Sequence, residues 1–292
     1  MNRLFSFVFL LLIVCLVAMP APAAINGNNS NNVKNFAVQK VADGVFAAIA
    51  LPKGKANSNA MIIVANAQVI LAGAHFTPEV IKELSAEAAK ITTAPLKAVI
   101  LTHHHRGYNY IDYDFPANVE IITSWQTWRS LKEGYRELKN PVMFFDKGLT
   151  LGRGKMTIVL SNTDLGHSEG DVIVYLPEEK VLFTSDLFFY DVDGYMGDGH
   201  MREWVLDLEM MEGIDARIVI PGSGKVTNSA GITQFRLFFK DFLTEVLRHV
   251  EKGETLEQTK KAFRLPNYEA LPGYKIFLNT NVERAYKQLK EK

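Results

Sequence analysis

The chain has 292 residues, 48% of them hydrophobic and 22% charged, enough to bury the core of one large domain or two small ones. Its 32 basic residues are balanced by 32 acidic ones. That removes the basic surplus expected of a nucleic-acid binder and the polybasic charge that docks on anionic membranes.

The first stretch, "MNRLFSFVFLLLIVCLVAMPAPAA", has one early Arg3, an apolar run from Leu4 to Val17, and Ala21-Pro22-Ala23. It reads as a secretory signal peptide cleaved after Ala23. The run is short for a membrane span, so the reading is periplasmic or secreted with no stable membrane insertion after cleavage. Cys15, the single cysteine, lies inside this run. Cleavage therefore removes disulfides and thiolate metal ligands from consideration. Residues 24–35 are polar and Asn-rich and read as a flexible leader. Residues 36–292 read as one domain ending in a helical segment.

From Phe36, "FAVQKVADGVFAAIAL" and "NAMIIVANAQVILAGA" are β-branched apolar runs broken at Asp43-Gly44 and Asn66-Ala67. They predict a meander of strands. "TPEVIKELSAEAAKIT" predicts a helix capped by Thr77, with Pro78 at its first position and Val80, Ile81, Leu84 and Ala88 on one face. "LKAVILT" is a buried strand running into three histidines, "NVEIITS" another strand, and "WQTWRSLKEGYRELK" a helix. Further on, "KMTIVLSNT" is a strand before "LGHSEGD". "VIVYL", the turn "PEEK" and "VLFTSD" form a hairpin. "HMREWVLDLEMMEGI" is a helix and "ARIVIPGSG" a strand entering a Gly-rich loop. Phe235, Phe238, Phe239, Phe242, Val246 and Val250 recur at helical spacing, and Thr255 with Gln258 suits a capping box. Sheets packed between helical layers follow from two β-rich halves, each trailed by helices.

Chemistry-bearing residues fall on strand ends and loops. His103 and His105 are two apart after a strand, so an extended segment points both to one side and His104 to the other. His167 sits in the loop "GHSEGD", and Asp186 ends "VLFTSD". Three imidazoles and a carboxylate suit Zn²⁺ or Fe²⁺.

The order "LTHHHRGYN", "LGHSEGDVIVYLPEEKVLFTSD", "RIVIPGSG" resembles the metallo-β-lactamase fold superfamily. The resemblance runs from about Phe36 to Leu289. It implies an α/β fold, a four-layer αβ/βα sandwich with two mixed β-sheets flanked by helices. It also implies a metal site at one edge. His103, His105 and His167 match the histidines of the family's first metal site, and Asp186 matches its bridging carboxylate. Four positions depart from the pattern. Gly107 stands where the family has an aspartate, Tyr108 where it has a histidine, Ser223 where it has the last histidine, and Gly73 where many members carry a supporting aspartate.

A complete first site with a broken second one implies a single ion, Zn²⁺ first and Fe²⁺ as the alternative. The function implied is an exported hydrolase that uses metal-activated water on an ester, thioester, lactone or lactam-type bond of a small molecule. In that reading Asp186 is a fourth ligand or proton acceptor, and Tyr108, if it points inward, a donor to a developing oxyanion. The alternative is a degenerate binding or scaffold protein on the same fold. His75, His200 and His249 read as surface or satisfied polar residues, and Trp125 and Trp128 as helix packing. The stretch "DVDGYMGDGH" reads as a flexible loop near the cleft, because its spacing does not follow a calcium-binding EF-hand.

Overall fold

The structure is a computed structural model that describes residues 33–74, 77–104, 115–134 and 139–291, the side chains of residues 132–134 excepted. The signal-peptide reading therefore lies outside the described residues, as does most of the leader. Of the leader, Asn35 is 6% exposed, and its backbone and side-chain amides both donate to Glu83.

The first sheet takes its strands in chain order: β1 (Phe36–Ala42), β2 (Val45–Ala50), β3 (Ala60–Ala65), β4 (Gln68–Gly73), β5 (Leu96–Leu101), β6 (Glu120–Ser124) and β7 (Val142–Phe145). Its first three pairings are antiparallel. Tight turns make that pattern. Asn66 and Ala67 both take positive φ, 49° and 54°, the conformation a two-residue hairpin needs to match strand twist. The last three pairings are parallel. Parallel neighbours need a crossover. α1 (Pro78–Ile91) supplies it between β4 and β5, and α2 (Trp125–Gly134) between β6 and β7. α1 starts as its sequence predicts, with Thr77 accepting from the Val80 amide and Pro78 at its head.

The second sheet has the order β12 (Ile218–Gly224), β11 (Val181–Tyr190), β10 (Val172–Leu176), β9 (Met156–Asn162), β8 (Gly148–Arg153). It is antiparallel except for the parallel β11–β12 pair. α3 (Met201–Glu212) crosses between those two strands. α4 (Ser229–Glu251), α5 (Leu256–Ala262) and α6 (Tyr274–Lys290) follow. The capping box at Thr255 and Gln258 is formed.

Strand alternation sorts side chains into three cores. In β4, Ile70 and Ala72 face the second sheet and meet Ile158, Val174 and Phe183. Val69 and Leu71 face the other way, onto Val80, Ile81 and Leu84 of α1. In β11, Leu182 points outward to a core shared with Trp204 of α3, Phe239 of α4 and Val282 of α6. Helix, sheet, sheet, helix is thus the layer order, the αβ/βα sandwich expected. β7 and β8 were not expected. Each buries only one residue, so neither carries the alternating signal of a half-buried strand.

The stretch from Asp191 to His200 differs from its flexible-loop reading. Met196 is fully buried and Asp193 is 4% exposed. Asn281 donates to the Gly194 carbonyl and accepts from the Met196 amide, Arg284 donates to the Gly199 carbonyl, and Gln288 accepts from the Met201 amide. These three α6 side chains, spaced by three and four, share one helix face and strap the loop down.

The sheets are also tied through Asn59, 1% exposed. Its Oδ1 accepts from the Ala50 amide, and its Nδ2 donates to the carbonyls of Pro221 and Gly224 in β12. Asn59→Ala removes these three hydrogen bonds, the one to Pro221 buried and the other two partly buried, and leaves their partners without them. The expected loss is about 3 kcal/mol in urea unfolding, with the slope unchanged.

Candidate metal centre

β5 ends at Leu101, and Thr102 and His103 continue from it into the space between the sheets. Thr102 is fully buried and His103 is 3% exposed. The Thr102 amide donates to the Gly73 carbonyl at the end of β4, and its carbonyl accepts from the Val172 amide at the start of β10. His103 thus leaves a point where both sheets are already joined.

His167 stands in a loop locked by its own residues. The Ser168 amide and hydroxyl both donate to the Asp171 carboxylate, at 2.8 and 2.5 Å. Gly170 has φ 88°, and a Cβ there would lie 2.5 Å from Cβ of Gln126. Its carbonyl accepts from Ser124 Oγ and Thr127 Oγ1 at the start of α2. The His200 amide donates to the Gly166 carbonyl from the head of α3. The His167 ring is 2% exposed. It meets His103 edge-on at 5.0 Å, Trp204 at 5.2 Å and Phe189 at 6.0 Å between centroids.

Asp186 does not end its strand, as its sequence context suggests; it lies inside β11 at a bulge. Pairing with β12 shifts register on both sides of Ser185, whose φ is 49°. A non-glycine residue in that region costs of order 1 kcal/mol or more. What holds it is a 2.7 Å hydrogen bond between the hydroxyls of Ser185 and Thr102. The bulge turns Asp186 against β12, where Gly222 leaves room. A Cβ at 222 would fall 2.2 Å from Asp186 Oδ1.

His103 Nε2 lies 3.6 Å, and His167 Nε2 3.8 Å, from Asp186 Oδ2. One ligand atom from each of the three residues falls within 4.8 Å of the others, and all three residues are buried. Two donors each about 2 Å from a tetrahedral zinc lie roughly 3.3 Å apart, so this spacing fits one ion with little adjustment. Two imidazoles and a carboxylate are a suitable donor set for Zn²⁺ or Fe²⁺. The other ring nitrogen of His103 is 3.4 Å from both the Thr102 and Ser185 hydroxyls, which orients the ring.

Of the residues singled out from sequence, His103, His167 and Asp186 converge. His105, Tyr108, Gly107 and His75 lie outside the described residues. His104 is buried but not in the cluster. The sequence reading missed Thr102, Ser185, Asp171 and Gly222. "GHSEGD" and "TSD" contain two of them, but hydroxyl pairing across 83 residues has no local signal.

A model of the metallo-β-lactamase superfamily matches residues 109–223, which include His167 and Asp186 but not His103. No curated protein matches the chain by sequence. Among solved structures it is similar to the DIM-1 metallo-β-lactamase, at 20% identity and TM-score 0.60, over 71% of this chain and 98% of that one. A metallo-β-lactamase from Pontibacter korlensis aligns at 19% identity and TM-score 0.61, over 70% and 99% of the two chains. TMB-1 aligns at 18% identity and TM-score 0.59, over 72% and 99%.

This chain has the metallo-β-lactamase fold. The metallo-β-lactamase resemblance at "PGSG" puts Ser223 at the last-histidine position, and here Ser223 pairs in register with Phe189 of β11. Around the cluster, burial shifts two carboxyls. Asp207 of α3 packs beside Gly166, and burial, reinforced by the Asp171 carboxylate, pushes it up to about 8. Burial alone pushes Asp193, in the strapped loop, up to about 7, against one opposing hydrogen bond from the Gly194 backbone. His200 moves down, first through burial and then through Arg284.

Asp193 gives a pH prediction. Its carboxyl moves from 3.8 unfolded to about 7 folded, so folding takes up a proton between those values. Its contribution is full below about pH 4 and is lost as pH rises to about 7, by a few kcal/mol. Asp193→Asn should flatten that decline, gaining stability at pH 8 over the parent but not at pH 4, as read by urea unfolding. Gly222→Ala should force β12 off Asp186 and lower the thermal midpoint of the metal-free protein, at a cost of about 1–3 kcal/mol.

Proposed function

We propose that the protein is a metal-dependent hydrolase with a single ion held by His103, His167 and Asp186, and by His105 as a further imidazole. The observation that carries this reading is the convergence of three buried ligand atoms within 4.8 Å from three separate elements. A divalent ion in such a site supplies Lewis acidity that polarises a carbonyl and acidifies water. The chain's own residues do the rest. Thr102 and Ser185 orient the His103 ring, and Asp171 fixes the His167 loop. Asp186 is placed to accept a proton as well as to ligate. Trp204 and Phe189 wall the His167 ring against bulk water, which strengthens every charge interaction inside.

The substrate class is a small molecule with an ester, thioester, lactone or lactam-type bond. Zinc is the proposed ion and iron the alternative. Export to the periplasm or medium is part of the proposal, supported by the N-terminal sequence. No helix among the described residues is long and apolar enough to cross a membrane. A second reading, a binding or scaffold protein on the same fold, is favoured by Ser223, a neutral hydroxyl where resemblance places a metal-binding imidazole.

The test is elemental analysis of mature protein purified without chelator and reloaded with Zn²⁺ or Fe²⁺, beside a His103→Ala/His167→Ala double variant. About one metal per chain, lost in the variant, is expected. Metal in neither protein would overturn the metal reading. Metal-loaded protein inert across a panel of esters, thioesters, lactones and lactams would favour the binding protein instead.

A further inference from the structure

Outside the metal centre, a pocket of about 130 Å³ opens between the end of β11, the first half of α4 and the segment after α5. None of His103, His167 or Asp186 lines it. Its walls are aromatic. Phe189 meets Phe235 edge-on at 5.5 Å, Phe235 lies tilted to Phe238 at 5.8 Å, and Tyr268 closes on Phe238 at 4.8 Å. Tyr268 is fixed by a 2.8 Å hydrogen bond from its hydroxyl to Asp241. Its rim is polar, with the exposed amides of Gln234 on α4 and Asn267 across from it.

We propose that this pocket is a second small-molecule site, for a compact, neutral aromatic ring bearing one hydrogen-bonding substituent. Size, surface and charge each narrow the class. An apolar cavity of about 150 Å³ accepts a benzene ring, so this pocket holds one six-membered ring and not a fused system. Aromatic walls set edge-on and tilted favour a π-face or edge over an aliphatic chain. Gln234 and Asn267 offer both donors and acceptors at the mouth, which suits a hydroxyl or amide on the ring. The lining carboxylate, Asp191, is paired with Lys225 at 2.9 Å, and Lys225 also lies 5.5 Å above the Tyr190 ring. The rim therefore carries no surplus charge to select an ion.

Phe189 makes the site more than a crevice. Its ring is 3% exposed and forms both a pocket wall and an edge contact to His167 at 6.0 Å. On another side a Cβ at Gly194 would lie 2.3 Å from it. A ring so confined cannot yield to a ligand without pressing on His167, because close-packed interiors transmit strain. Occupancy of the pocket is thereby read at the metal centre. The inference rests on the pocket and the ring packing, and stands whether or not the cluster binds metal.

The probe is phenol, titrated into the full-length mature protein and followed by saturation-transfer NMR together with ¹⁵N-histidine spectra. Saturable binding is expected, with the His167 resonances moving and those of His249, at the far end of α4, unchanged. Gln234→Trp places a large ring in the mouth and should weaken binding at least tenfold. Asn267→Trp, from the opposite rim, should do the same if the first variant folds poorly. No saturable binding up to the solubility limit would overturn the site. Binding that survives both filled variants would place phenol elsewhere and overturn it equally. Binding with His167 unmoved would overturn the coupling through Phe189.

Discussion

Thr102 is where the two halves of this molecule are joined. Its amide bonds β4, its carbonyl bonds β10, and its hydroxyl bonds Ser185 in β11, so one buried residue contacts both sheets. His103 follows it and Asp186 follows Ser185. A hydrogen bond of 2.7 Å between neighbours of two candidate metal ligands sets the distance between those residues. A misplacement of an ångström at such a site is costly, and rigid backing is the remedy.

Strain and close approach do the remaining positioning. The bulge at Ser185 breaks the regular β11–β12 ladder, and bulges characteristically re-aim a side chain beside a functional site. Gly222 admits the carboxylate that the bulge turns toward it. These are local costs. The burial that offsets them is spread over three apolar cores, one between the sheets and one on the outer side of each. Asn59 then holds the same segment of β12 against the first sheet through the Pro221 and Gly224 carbonyls.

The sequence made the scaffold legible because its signals are local. The continuous apolar runs "AMIIVA" and "QVILAG" report strands buried on both faces, and the helical spacing of Phe235, Phe238, Phe239 and Phe242 reports one buried face of α4. β7 and β8 escaped notice because they are scarcely buried. At the site, His103, His167 and Asp186 were readable as residue types in suggestive places. Their supports were not. Thr102 with Ser185, and Asn59 with Pro221, are partners separated by 83 and 162 residues, and no window of sequence contains both members. The loop at Asp191–His200 was misread for the same reason. Glycines and polar residues resemble a free loop until the distant helix face of Asn281, Arg284 and Gln288 is seen to bind its backbone.

That helix face has a consequence for the order of assembly. A chain leaves the ribosome N-terminus first, and each segment can fold only against partners already synthesised. The segments bearing His103, His167 and Asp186 all emerge before α6. The loop that leads into α3, and so to the His200 amide on the His167 loop, is not fastened until residues 281–288 have followed. The site therefore sets late, as a finished object rather than a growing one. Closure of the His200 amide onto the His167 loop thus belongs to the last stage of synthesis.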